Sequence, residues 1–172
     1  MKFTLILAAL SATFGAIQAA DICRPTGSDC FGAASCCLGI QEGRCCNLGT
    51  ATTRIRMVVP ANSRSQGWTG SGCTGSAATN QNQNARTVCF TYSSSRLSGK
   101  WLTGLSSRVR RDPTPEAEAC AEPNAVLQVR DGVTTRIDLR DGMTVEDALE
   151  KRDGVAVEAV PYVGEYEVVN ED

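Results

Sequence analysis

The sequence contains no histidine. That one absence removes His-based triads, imidazole general bases and every mixed Cys/His zinc site. Aromatic residues make up only 5% of the chain, so Trp68 and Trp101 are expected to serve the core before they serve as carbohydrate platforms. No Asn-x-Ser/Thr triplet occurs, and no N-linked glycan is expected. After residue 20 no apolar run approaches the roughly 20 residues a membrane-spanning helix needs, so no transmembrane anchor is expected. Acidic residues are nearly missing from the middle of the chain. Between Asp21 and Arg111, ten Arg and Lys100 face only Asp21, Asp29 and Glu42, a net of +8. From Asp112 to Asp172 five basic residues face sixteen acidic ones, a net of −11. The overall net charge of −2 conceals two opposed halves.

The two halves meet at Arg110-Arg111, which looks like a dibasic processing site of the kexin type. Lys151-Arg152 is a second such pair. At the other end, Lys2, the apolar run Leu5 to Leu10 and the small residues Ala19 and Ala20 read as a secretory signal peptide. The mature chain is expected to begin at Ala20 or Asp21. Three regions follow: a signal peptide over 1–20, a basic cysteine-rich domain over 21–111, and an acidic region over 112–172 with the features of a propeptide. Export implies an extracellular location and an oxidising environment, where thiols pair instead of binding metal.

Eight of the nine cysteines lie in the basic half: Cys23, Cys30, Cys36, Cys37, Cys45, Cys46, Cys73 and Cys89. An even number can pair completely, in 105 ways that the sequence does not distinguish. The neighbours Cys36-Cys37 and Cys45-Cys46 are expected to send bonds in two directions, because a disulfide across one peptide is strained. The spacing C-x6-C-x5-CC also opens inhibitor-knot peptides, which leaves a knot embedded in a larger domain as an alternative. Cys120, in the acidic half, is the odd thiol; separation at Arg111 would leave eight behind.

The periodicity of the basic half is that of strands. In Thr53–Val59, Ile55, Met57 and Val59 share one face while Arg54 and Arg56 take the other. In Arg86–Tyr92, Val88, Phe90 and Tyr92 alternate with Cys89. Gly99–Thr103 reads as a last short strand, and Gly70–Gly72 and Asn80–Asn84 as polar loops. The basic half is therefore expected to be a small all-β, disulfide-rich domain. In the acidic half Asp112–Glu116 reads as a linker. Ala125–Val129 and Val133–Leu139 read as a hairpin around Asp131-Gly132. Thr144 caps a short helix with Asp147 three residues on, and Val155–Val157 and Tyr166–Val169 read as strands. The acidic region is then either a small α+β unit, ββαββ, or charge-rich disorder.

The signal peptide, the Cys-Cys pairs, the segment Gly67–Cys73, Cys89 within a strand and Arg110-Arg111 together resemble the small secreted cysteine-rich proteins of filamentous fungi. That class is rich in candidate effectors. Residues 46–104 are similar to its βγ-crystallin-type, killer-toxin-like members. Trp68 and Gly75 fit their motif, and Ala77 stands where that motif has serine. The resemblance implies a secreted virulence or host-interaction protein that acts by binding. The alternative is a cationic antimicrobial or killer-type toxin.

Arg54, Arg56, Arg64, Arg86 and Arg96 are candidate binding residues for an anionic surface of a host or microbial target, since guanidinium pairs with phosphate and carboxylate. The plainer expectation is that they are solvated outward-facing residues. Nucleic acid is not expected as a partner. No catalytic residue, cofactor or metal site is expected: without histidine a hydrolase would rest on Asp29 and Glu42 alone. An acidic propeptide over a basic domain suggests masking by charge, which salt would weaken.

Overall fold

The computed structural model describes residues 18–28, 30, 32–105, 120–130, 133–140, 142–150, 155–157 and 166–169. The apolar run Leu5–Leu10, Asp29, Arg110, Arg111, Lys151 and Arg152 lie outside the described residues.

The elements in chain order are β1 (Ala19–Pro25), β2 (Ala34–Gln41), β3 (Cys46–Val59), β4 (Ser63–Trp68), a 3-10 turn at Ser71–Cys73, β5 (Ala77–Asn82), β6 (Arg86–Thr103), β7 (Ala125–Arg130), β8 (Val133–Asp138), α1 (Val145–Glu150), β9 (Val155–Val157) and β10 (Tyr166–Val169). One sheet runs β5-β4-β6-β3-β1-β2-β7-β8-β9, with β10 pairing parallel to β6. The fold is all-β, held by four disulfides. The acidic region does contain the strand–strand–helix–strand–strand order, but its last strand leaves its neighbours to join β6.

Alternation places the core. Ile55, Met57 and Val59 of β3 and Val88, Phe90 and Tyr92 of β6 point into one cluster with Ile22, Leu48 and Trp101. The sheet rolls over this cluster: β6 pairs with β3 over Arg86–Gly99 and with β4 over Ser98–Thr103. Gly67 and Gly99 face each other across β4 and β6. A side chain on Gly99 would lie 2.9 Å from the Ile22 methyl, and one on Gly67 would lie 2.7 Å from the Tyr92 ring. The missing side chains are what let the two layers approach. The roll closes where Trp101 Nε1 donates to the Ile40 carbonyl (2.8 Å) and Gly43 N–H donates to the Trp101 carbonyl (3.0 Å).

Two expectations need correction. Asn80–Asn82 is not a loop but the end of edge strand β5, where buried Asn82 donates to Ser65 Oγ (2.9 Å). Gly99–Thr103 is not a separate strand either, because β6 runs unbroken through Ser93–Ser95. Ladder pairing with β4 overrides the weak strand preference of Asn80–Asn82, whereas Ser93–Ser95 lies where the pairing of β6 with β3 shifts register.

The disulfides join Cys23 to Cys36, Cys30 to Cys89, Cys37 to Cys46 and Cys45 to Cys73. Each vicinal pair does send its bonds apart. Cys36 and Cys37 face opposite sides of β2, so one meets Cys23 in a small outer cluster and the other meets Cys46 in the main core. Only two of the four bonds lie among the first six cysteines, which removes the inhibitor knot.

Candidate functional site

The five candidate arginines do not form a solvated basic face. Arg56, Arg64 and Arg96 are 7%, 8% and 1% exposed, and Arg54 and Arg86 are half-buried. The guanidinium groups of Arg56, Arg64 and Arg96 brace the fold. Arg56 Nη1 donates to the Cys30 carbonyl at 3.0 Å, which fixes the β1–β2 loop beside the Cys30–Cys89 bond. Arg64 Nε donates to the Gly104 carbonyl at 3.0 Å, and Arg96 Nη1 to the Ser76 carbonyl at 3.3 Å. Arg96 also lies 4.8 Å from the centroid of the Tyr92 ring. Arg56, Arg64 and Arg96 are therefore not outward, solvated side chains: in a chain short of large aromatic residues their long stems are buried against the fold.

Glu42 is likewise engaged. Its Oε1 accepts from Thr103 N–H at 2.7 Å and from the Thr103 hydroxyl, tying the β2–β3 turn to the end of β6. Of the two carboxylates weighed for hydrolysis, Asp29 falls outside the described residues, and among the described residues no group of three or more His, Cys, Asp or Glu could hold a metal ion. Trp101 is fully buried, as a core role requires; Trp68 is half-buried, with Lys100 Nζ 5.2 Å over its ring.

The most constructed exposed feature is the loop joining β4 to β5. Thr69 and Ser76 clasp its base: Thr69 N–H donates to the Ser76 carbonyl (3.1 Å), and Ser76 N–H donates to Thr69 Oγ1 (3.0 Å). Gly75 takes φ +80°, and a side chain there would meet Thr69 Oγ1 at 2.5 Å. From below, the Ser98 hydroxyl donates to the Gly70 carbonyl (2.6 Å) and accepts from Cys73 N–H (2.9 Å). The Cys45–Cys73 bond anchors the tip to the start of β3. Ser71, Gly72, Thr74, Gly75 and Ser76 remain exposed, and none carries a charge. The sequence pattern pointed to Gly67–Cys73 and Gly75 but not to the Thr69–Ser76 clasp or to the support from Ser98 of β6, which spacing does not reveal.

Cys120, the free thiol, is half-buried against this loop: a side chain on Gly72 would come within 3.9 Å of its sulfur. Partial burial lowers the Lys100 ammonium from its ordinary value, and Cys120 nearby acts in the opposite direction. Asp21, at the start of β1, accepts Gly39 N–H at 2.9 Å. Burial raises its carboxyl above the ordinary carboxylate value, while the Gly39 bond, Arg136 and Arg56 oppose that rise.

A family model described as an N-terminal domain matches residues 21–124. The chain belongs to this family, ARB_05566_N. The ARB_05566_N match begins one residue after Ala20, which is itself 1% exposed within β1. It runs past Arg111 and takes in Cys120 to Asn124. Neither curated proteins nor solved structures give a match to the chain. Among the described residues no helix is long and apolar enough to cross a membrane.

Proposed function

We propose that this is a secreted, disulfide-stabilised protein of the effector-like, host-interaction type, acting by binding and without catalysis. The observation that carries this reading is the disulfide-anchored loop over residues 69–76. Four bridges suit an oxidising destination. A loop ordered before contact loses little entropy when it meets a partner. Its exposed surface is hydroxyl-rich and neutral, so recognition rests on shape and hydrogen bonds more than on charge. The engaged arginines weigh against a cationic toxin that works through a basic face, which was the alternative. Removal of the leader and a cut after Arg111 belong to the same reading.

Intact mass of the protein from culture medium reads both termini and the number of oxidised thiols. The purified protein is then applied to host tissue and, separately, to microbial cultures, beside a Ser71→Arg/Ser76→Arg variant with the same disulfide content. We expect binding to host material that the variant loses, with no inhibition of microbial growth. Growth inhibition that the variant retains replaces this reading with the toxin.

A further inference from the structure

The acidic half lies against the basic half along a specific seam. Ala121 N–H donates to the Cys45 carbonyl (2.8 Å), and Asn47 N–H donates to the Ala121 carbonyl (2.9 Å), so residue 121 sits as a parallel bridge beside Cys46. Asn47 Nδ2 donates to Glu122 Oε1 (2.8 Å). Asn124 then clamps β2 from the edge. Its N–H donates to the Cys36 carbonyl (2.9 Å), its Oδ1 accepts Leu38 N–H (2.8 Å), and its Nδ2 donates to the Leu38 carbonyl (3.3 Å). From there β7 pairs antiparallel with β2, placing Ala125 opposite Cys36 and Leu127 opposite Ala34. Leu127 completes the outer cluster of Cys23, Ala34, Cys36 and Leu38.

Without β7, β2 would be an open edge. Its stretch Ala34-Ser35-Cys36-Cys37-Leu38-Gly39-Ile40 has no charge and no proline, the composition of a strand that recruits other strands. We propose that the β2 edge, with the start of β3 beside it, is a strand-acceptor site, that residues 121–127 are its occupant, and that a cut after Arg111 leaves this occupant in place as a second chain. The part concerning a natural cut rests on the processing reading above; the seam does not. Attachment through main-chain hydrogen bonds and a small apolar cluster replaces the charge masking that the opposed halves suggest. The family domain ends at Asn124 and so includes the clamp.

A full chain with a site for a sequence-specific protease inserted between Arg111 and Asp112 tests the seam whether or not the native dibasic pair is used. Cys120→Ser in the same chain prevents a disulfide from holding the pieces. After cutting, we expect both pieces to elute together at low salt and at about 1 M NaCl, where screening acts over about 3 Å, and to part only in denaturant. Asn124→Ala is expected to weaken retention roughly tenfold, as losing a pair of hydrogen bonds does. It should also increase hydrogen exchange at Leu38. Separation at high salt alone restores charge masking and overturns the proposal, as does separation at low salt. Retention together with an uncut native dibasic pair in secreted protein defeats only the processing reading.

Discussion

The region up to Gly104 and the region from Cys120 onward are parts of one sheet with different sources of order. The first rolls around a core that contains Trp101, Phe90 and Met57, and four disulfides join its strands and loops. The second has a cluster of three buried residues, Val126, Ile137 and Ala148, and leans on its neighbour's edge. Charge opposes the two regions, yet the contacts at the seam are mainly backbone ones. A charge pattern can thus change sign along a chain without saying what joins the parts.

The sharpest way to break the comparison is to remove a disulfide from the first region. Replacing Cys30 and Cys89 together by alanine opens a loop of 59 residues' separation, which chain entropy values at about 4 kcal/mol. The Cys37–Cys46 bond spans 9 and should cost nearer 3 kcal/mol. Urea unfolding of the two double variants checks the order; equal losses would mean that strain or solvation outweighs loop length.

A smaller effect is expected where β4 approaches the Tyr92 ring. Gly67→Ala puts a methyl 2.7 Å from the Tyr92 ring atoms, and overpacking of this kind costs typically about 1–3 kcal/mol. Thermal melting followed through tryptophan fluorescence measures it. An unchanged midpoint would show that the layers can separate without penalty.

The smallest effect joins the regions. Asp21 of β1 feels Arg136 of β8, but burial dominates and raises its carboxyl above the ordinary carboxylate value. The folded state therefore holds this proton to higher pH than the unfolded state. Stability from this group is greatest below the ordinary carboxylate value and declines as pH rises through the raised one. Asp21→Asn should flatten that decline in a series of unfolding curves across the acid range. A steeper decline in the variant would mean that the attraction of Arg136 and Arg56 outweighs burial.

Much of this was legible in the residues themselves. The alternation in β3 and β6 placed Ile55, Met57, Val88 and Phe90 on the inner face, and the capping box survives as Thr144 Oγ1 accepting Asp147 N–H at 3.1 Å. Both are local patterns, set by the period of a strand or the first turn of a helix. The arginines misled because alternation gives the face of a strand but not what covers that face. Arg56 reaches the β1–β2 loop at Cys30, Arg64 the carbonyl of Gly104, and Arg96 the carbonyl of Ser76 in the β4–β5 loop.

By itself the sequence determined the strand periodicity, the even set of eight thiols and the opposition of charge, since each is a property of neighbours along the chain or of composition. Only tertiary structure decided which thiols met, how far β6 extended, that arginines would fill a core, and that Asn124 would clasp Leu38. Those outcomes depend on which distant strands share a ladder, and pairing at long range is fixed by the rolling of the whole sheet.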